Sequence, residues 1–465
     1  MTKAARPFRP PPPTRLSMRS DADRSARYEA GRALREHVPH EAHAEWAPAP
    51  GRPDPIALLQ EQAVSRVPDL VPIRYGRMLA SPFAFLRGAA LVMAADLAET
   101  PSSGIRVQLA GDAHVANFGF YASPERDLLF DVNDFDETLP GPWEWDVKRL
   151  AASAVVASRS MGHPRSDGLA AARSAAGAYR RATRSLARLR TLDVWYAHID
   201  EAEIAAAAHG PAARMLREVV ARAFERDTTH ALDLATDHAT GEQRIADAPP
   251  LIVHRPDLVD VDRLLPRLER YRRTLVSDRR ALLARYRLTD VALKVVGVGS
   301  VGTRCYVAYL SAGRDDPLFL QVKEAQASVL ERFLGKSRLR SHGERVVAGQ
   351  RIVQAASDAF LGWGSDHAGH DYYWRQLRDW KGSFDVAAMR PADLDAYARL
   401  CGAALARAHA RSGDPVTLAG YLGAGAAFER SVAAFAASYA DQTERDVAAL
   451  KAAVAAGRIE ARTGV

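Results

Sequence analysis

The spacing of apolar and polar residues changes character twice along the chain. Residues 145–234 are Ala-rich and have the periodicity of amphipathic helices. Residues 291–296, 305–310 and 318–323 are short runs rich in β-branched and aromatic residues, which is typical of strands. A helical stripe returns over 394–411. The pattern predicts a small β-rich segment between two helical segments, which is an α+β organisation.

The remaining elements follow from the same patterns, interrupted by Gly and Pro. They are strands at 105–109, 128–132, 359–363 and 372–377 and helices at 261–287, 325–334 and 344–355. This predicts four segments: a Pro-rich, disordered or extended tail over 1–50, with one helix near 22–38, a first helical part over 51–290, a β-rich part over 291–380 and a second helical part over 381–465.

Composition and charge narrow the class of protein. The chain is 48% hydrophobic and 26% charged, which is typical of a soluble globular protein, and no window resembles a membrane span or a signal peptide. Cys305 and Cys401 lie in apolar patterns and are expected to be buried thiols in a cytoplasmic protein. The net charge of +7 permits an anionic partner. The arginines are spread along the chain, so nucleic-acid binding is not favoured.

A glycine cluster links the first two predicted strands of the β-rich part. Gly297, Gly299 and Gly302 match Gly-x-Gly-x-x-Gly, a spacing that lets backbone N–H groups approach phosphate oxygens. A dinucleotide site would need a helix directly after the glycines and an acidic residue about twenty positions later. Strand-forming residues follow instead, and Lys323 stands at that distance. A Gly-containing hairpin with a surface lysine is the structural alternative.

Lys323 ends the third strand of this part, where a kinase-type site places the lysine that binds the nucleotide phosphates. Such a lysine is held by a glutamate from the next helix. Glu331 is the first candidate, because Glu324 is too close along the chain. We therefore expect Lys323 and Glu331 to form an ion pair.

Two loops near the beginning of the chain carry a second set of polar residues. Asp112 and Asn117 follow the first predicted strand at the Asp-x-x-x-x-Asn spacing of a phosphotransferase catalytic loop, and Asp134 and Asp136 follow the second. Asn117 and Asp134, assisted by Asp136, would supply the hard oxygen ligands that Mg²⁺ prefers, and Asp112 would orient an acceptor hydroxyl. The alternative is ordinary turn chemistry, since Asp and Asn are common in turns.

Supporting residues are also expected near these loops. Asp146 opens the next helix and is predicted to be either its N-cap or a buried brace for the catalytic loop. His114 is expected to brace the same loop. Arg77 and Arg87 are candidates to reach a phosphate or the acceptor, with a place on a helix surface as the alternative.

These motifs resemble those of aminoglycoside- and choline-kinase-like phosphotransferases. The resemblance rests on Gly-Asp-Ala-His-Val-Ala-Asn at 111–117, Asn-Asp-Phe-Asp at 133–136 and Trp-Asp at 145–146. It implies a two-lobed, protein-kinase-like α+β fold with ATP and Mg²⁺ as cofactors. Asp112 and Lys323 would act in catalysis, and the glycine turn, Lys323 and Glu331 would bind the nucleotide.

The order of the motifs departs from that family. There the glycine loop and lysine precede the catalytic loop, whereas here they follow it, which is the order that a circular permutation would give. In addition, Arg304 stands where a Val usually follows the glycines, and Ala110 stands where a His precedes the loop. The strings at 74–78, 81–85, 321–325 and 375–379 make the chain, over roughly 50–450, similar to the bacterial family called domain of unknown function 2252, which implies no activity.

The expected function is transfer of a phosphoryl group from ATP to a hydroxyl acceptor, which is a small molecule or a protein. Transfer of AMP from the same site is a second enzyme hypothesis. A catalytically silent nucleotide-binding or scaffold protein is a hypothesis of a different class. Neither the acceptor nor the oligomeric state follows from the sequence.

Overall fold

The computed structural model of the chain describes residues 23–207, 210–225, 244–313, 316–377, 380 and 382–464. The first 22 residues of the predicted tail and the residues 226–243, predicted as helix and loop, lie outside the described residues. None of the described helices combines the length and hydrophobicity that crossing a membrane requires.

Helices form most of the regular structure. Those of the first part are α1 Arg24–His37, α2 Pro55–Ala63, α3 Val71–Met78, α4 Pro82–Gly88, α5 Ala90–Ala98, α6 Trp143–Ser160, α7 Arg165–Leu186, α8 Thr191–Tyr196, α9 Glu201–Ala207 and α10 Gly210–Glu225. Those of the later part are α11 Val261–Arg272, α12 Ser277–Leu283, α13 Glu331–Leu334, α14 His342–Val353, α15 Pro391–Ala410, α16 Pro415–Leu422 and α17 Ala427–Ala455. Side-chain caps fix several first turns, such as Ser81 before α4 and Asp414 before α16.

The strands form three antiparallel sheets. The strands are β1 Arg106–Leu109, β2 Phe118–Ala122, β3 Leu128–Val132, β4 Leu139–Pro142, β5 Ile252–Val253, β6 Arg287–Lys294, β7 Cys305–Gly313, β8 Asp316–Ala325, β9 Gly362–Ser365, β10 Asp371–Gln376 and β11 Gly382–Ser383. The six-stranded sheet has the order β5-β6-β7-β8-β10-β9, a three-stranded sheet has the order β11-β2-β3, and β1 pairs with β4. The fold is therefore mixed α+β, as the sequence predicts.

Two hydrophobic cores position the site. One lies between the six-stranded sheet and α11, where the Tyr271 and Trp374 rings stack with their centroids 4.6 Å apart. The larger one lies among α6, α7, α15 and α17 and includes the Trp143 and Tyr179 rings, stacked at 5.5 Å. Cys305 and Cys401 are buried free thiols in the described chain, as predicted.

The predicted helix over 261–287 is confirmed in part: it is interrupted at residues 273–276 and ends at Leu283. It breaks into α11 and α12, and β6 already begins at Arg287. The reason is tertiary hydrogen bonding at Thr274, whose hydroxyl accepts a bond of 3.1 Å from the Trp363 amide and donates one of 2.7 Å to the Tyr271 carbonyl. These bonds hold the chain against β9 and prevent the helix from continuing.

The predicted helix over 325–334 is also mostly wrong, because only the four residues of α13 are helical. Ala325 still belongs to β8, where it pairs with Asp371. The next residues bond to the segment after β3: the Ser328 hydroxyl donates to the Glu137 carbonyl at 2.8 Å, and the Val329 amide donates to the Glu137 carboxylate at 2.7 Å.

The helix predicted near 22–38 within the N-terminal segment is confirmed. It is α1, Arg24–His37, which packs closely against α16. At the contact Gly31 lies against the backbone of Thr417, where a side chain would have no room. Strands β2 and β4, which the sequence analysis did not predict, complete the surroundings of the two acidic loops.

Candidate active site

The loop after β1 is fixed from both sides. Gly111 has a φ of +86° and lies against the Glu137 backbone, so that only glycine fits there. The amides of Ala110 and Gly111 donate to the carboxylate of Asp146 at 2.7 and 3.0 Å. Asp146 lies in the first turn of α6 and His409 contacts it at 3.2 Å, so its role is the predicted brace and not the N-cap.

Asp112 is held in this loop by a cation that the sequence analysis did not single out. The guanidinium of Arg149, on α6, donates to its carboxylate, and His114 Nε2 lies 3.8 Å from the other carboxylate oxygen. Burial raises the pKa of Asp112 above its ordinary value, although Arg149 opposes the shift. His114 is buried, and its ring contacts that of Phe83, in keeping with the predicted bracing role.

Asn117 joins the two acidic loops. Its side-chain Nδ2 donates to the Asp112 carbonyl at 2.8 Å, and its own carbonyl accepts from the Asn133 amide at 2.8 Å. Neither of these bonds uses the side-chain oxygen of Asn117. Asp134 follows directly, so the predicted Asp112, Asn117 and Asp134 belong to one connected unit.

Lys323 reaches this unit from the sheet. It is 3% exposed, and its ammonium contacts the carboxylate of Asp136 and lies 3.7 Å from that of Asp134. Burial alone would lower the pKa of Lys323, but the two carboxylates raise it well above its ordinary value. The Tyr373 hydroxyl donates to Asp136 at 3.0 Å. The structure thus brings the predicted lysine and the predicted metal-binding aspartates together.

The glycine turn also reaches Asp136. The Ser300 hydroxyl lies 3.2 Å from the Asp136 carboxylate. Gly302 has a φ of +90° and its carbonyl accepts from the Val67 amide at 2.7 Å. Two arginines hold the turn by its carbonyls: Arg66 donates to Gly299 at 2.9 Å, and Arg77 donates to Val296 at 2.7 Å.

Glu331 does not contact Lys323. Its carboxylate lies 3.7 Å from the guanidinium of Arg345, a buried residue of α14. Arg345 donates to the carbonyls of Asp136 at 2.7 Å and Thr138 at 2.8 Å, so it fixes the acidic loop on the helix behind the sheet. The ion pair predicted between Lys323 and Glu331 is replaced by the contact between Lys323 and Asp136.

The arginines that hold the site together were not predicted from the sequence. Arg149 could have been predicted from the sequence, because it lies three residues after Asp146 and therefore faces the same side of α6. No sequence pattern points to Arg345 or Arg375. Arg375, on β10, donates to the Asn133 carbonyl at 3.0 Å, a contact that depends on how the sheet meets the loop.

The carboxylates do not by themselves form a complete metal cage. Among the described residues, no group of three His, Cys, Asp or Glu side chains is arranged to hold a metal ion. Mg²⁺ commonly takes only one or two protein ligands together with phosphate and water. The amide oxygen of Asn117 and the carboxylate of Asp134 suit that type of site.

Comparison with known proteins identifies the family. Residues 66–453 match the model of a family described as an uncharacterized protein conserved in bacteria, DUF2252. No curated protein and no solved structure to which the chain was compared gave a match. The matched segment contains both acidic loops, the glycine turn and Lys323, and it spans most of the sequence. The chain belongs to the bacterial DUF2252 family.

Proposed function

We propose that the protein is an ATP- and Mg²⁺-dependent phosphotransferase that acts on a hydroxyl acceptor. One observation carries the proposal: Lys323, the glycine turn and the two aspartates, which are far apart in the sequence, meet at Asp136. Turn chemistry alone would explain each loop separately. It does not require a buried lysine and a glycine turn at the same carboxylate.

The order of elements in the sheet supports a kinase-like arrangement. The glycine turn joins β6 to β7, Lys323 lies on the adjacent β8, and α14 precedes β9 and β10. In protein kinases a glycine loop covers the phosphates, and the lysine lies on the third strand before a helix. The departure is at that helix, where Arg345 occurs and no glutamate reaches Lys323.

The residues have distinct roles in the proposed reaction. Lys323 and the backbone of the glycine turn bind phosphate oxygens, and Asn117 with Asp134 would hold Mg²⁺, assisted by Asp136. The metal ion would supply positive charge against the phosphates. Asp112 orients the acceptor hydroxyl, whose oxygen bonds to the terminal phosphorus as the bond to the bridging oxygen breaks. ADP leaves, and the hydroxyl proton passes to Asp112.

The second candidate is a catalytically silent nucleotide-binding protein. It is favoured by the pairing of Asp112 with Arg149, because the guanidinium occupies one carboxylate oxygen and opposes the rise in pKa that burial gives this group. The two candidates share the nucleotide site and differ in turnover. Incubation with γ-labelled and α-labelled ATP and a panel of hydroxyl compounds distinguishes phosphoryl transfer, AMP transfer and binding alone.

The nucleotide site is tested by thermal unfolding with ATP, with and without Mg²⁺. A ligand at about 100 times its Kd adds about 2.7 kcal/mol to the free energy of unfolding. We expect the wild type to be stabilised by ATP with Mg²⁺ and Asp134→Asn to lose this stabilisation. The matched control is Asp278→Asn, an exposed residue of α12, which should behave as the wild type. If neither ATP nor GTP stabilises the wild type, the proposed function is wrong.

A further inference from the structure

Arg87 lies against the glycine turn. It belongs to α4, and its carbonyl lies 3.2 Å from where a side chain on Gly299 would begin. One terminal nitrogen of its guanidinium lies 3.9 Å from the corresponding position on Gly297. The side chain therefore follows the turn towards its phosphate-facing glycines.

The guanidinium of Arg87 lacks a partner that would explain its position. Its Nε is buried without a hydrogen bond, and in the described part of the chain the group makes no hydrogen bond or ion pair. The guanidinium carbon lies 5.8 Å from the centre of the Phe83 ring. The neighbouring Arg66 and Arg77 instead donate to carbonyls of the turn. The buried Nε carries a desolvation cost, and the other donors of the half-buried guanidinium remain available to water or to a ligand.

Arg87 lies close to the loop of Asp112. Arg149, which donates to the Asp112 carboxylate, also donates to the carbonyl of Leu86, the residue before Arg87, at 3.0 Å. Burial lowers the pKa of Arg87, while the carboxylates of Asp112 and Asp134 act in the opposite direction. Lys323 instead contacts Asp136 and approaches Asp134 from the sheet.

We propose that Arg87 binds the terminal phosphate of the nucleotide, in a role separate from that of Lys323. This inference rests on the proposed function. The acceptor hydroxyl attacks the terminal phosphorus from the side of Asp112. Arg149 is already bonded to Asp112, so Arg87, which lies against the glycine turn, is the cation left to meet the group that is transferred. The planar guanidinium can donate two parallel bonds to phosphate oxygens, which suits it to this group. Arginines that stabilise the transferring phosphate are a recurring component of phosphoryl-transfer sites.

The test compares nucleotides that differ only in the terminal phosphate. Binding of ATP and of ADP, each with Mg²⁺, is measured by calorimetry for the wild type and Arg87→Gln. We expect the substitution to weaken ATP binding by roughly tenfold or more and to leave ADP binding nearly unchanged, because a charge-assisted phosphate contact is lost. Arg173→Gln, an exposed position of α7, is the matched control and should change neither affinity.

The outcomes separate this inference from the proposed function. Unchanged ATP binding in Arg87→Gln, or equal weakening of ATP and ADP, contradicts the role of Arg87 and leaves the nucleotide site intact. A wild type that binds neither nucleotide contradicts the proposed function itself. Should Arg87→Gln fail to fold, Arg87→Lys keeps the charge and loses the paired donors. It is then expected to weaken ATP alone, and an unchanged ratio of the two affinities overturns the inference.

Discussion

Lys323 and Asp136 form an ion pair, and each charge offsets the cost of removing the other from water. An ammonium that is 3% exposed is stable only beside an opposite charge, and Asp136 supplies one, supported by the hydroxyls of Tyr373 and Ser300. A nucleotide with Mg²⁺ carries anionic phosphates for Lys323 and a cation for the carboxylates, so it would satisfy both partners at once. A nucleotide without the metal would have to compete with Asp136 for the lysine. The ion pair is therefore a physical reason to expect binding that depends on Mg²⁺.

Glu137 makes the stability of the protein depend on pH. Burial raises the pKa of Glu137 from 4.5 to about 7, against the opposing effect of Arg345. Between these two values the folded state keeps a proton that the unfolded state releases. The free energy of unfolding should therefore fall as the pH rises from about 4.5 to about 7, by on the order of 1–3 kcal/mol from this residue.

Urea unfolding at several pH values across this range, for the wild type and Glu137→Gln, measures the effect. The glutamine keeps an oxygen that can accept the bond from the Val329 amide, so the variant should fold and lose this part of the pH dependence. Glu269→Gln, at an exposed position of α11, is the control and should keep the wild-type slope. Equal slopes for the wild type and Glu137→Gln would show that Glu137 titrates normally.

At the scale of elements, the contact between α7 and α15 is close because glycine permits it. Gly402 of α15 lies against the backbone carbonyl of Ala175 on α7, where a Cβ has no room. Gly402→Ala should force the helices apart and lower the free energy of unfolding by about 1–3 kcal/mol, although alanine favours helix. Chemical denaturation measures this. Arg399→Ala loses only an exposed ion pair of α15 and should cost less than about 1 kcal/mol. A variant Gly402→Ala as stable as the wild type would contradict the close packing.

The sequence predicts elements well where the local pattern decides them. The runs that became β7 and β8 are examples, because they are rich in β-branched and aromatic residues and are bounded by turn residues, and the apolar stripe of α15 is another. Strand β2 was missed, since Phe-Gly-Phe-Tyr-Ala is only five residues long and has a glycine inside it, which weakens the local strand pattern. It is stabilised by pairing with β3 and with β11, a partner more than 250 residues later. No local pattern carries that information.

The same limit applies to the candidate site. Motif spacing was enough to select Asp112, Asn117, Asp134 and Lys323, because the spacing reflects loops next to strands. The partner of Lys323 could not be selected in this way. It depends on where α14 packs, and the helix presents Arg345 to the acidic loop and to Glu331. Ion pairing across elements is a tertiary property, so it follows from the structure and not from spacing.

At the scale of the whole molecule, both ends of the described chain belong to the packed structure. Helix α1 packs on α16, and the Arg462 amide donates to the Pro72 carbonyl at 2.8 Å. The acidic loops lie within residues 111–136, and the glycine turn and the lysine lie within residues 297–323. The order of the motifs along the chain therefore does not decide where they lie in space. A circular permutation changes that order and keeps the positions.

A site assembled from two distant segments makes a prediction for the whole molecule. Amide hydrogen exchange with and without ATP and Mg²⁺ should slow together in 111–136 and in 297–325, because a ligand held by both segments suppresses the opening of each. The last helix, α17, serves as an internal reference and should not change. The Asp134→Asn variant should lose the slowing in both segments, since the metal links them. Slowing confined to 297–325 would mean that the sheet binds nucleotide without the acidic loops, and the contact between Lys323 and Asp136 would then be a structural ion pair only.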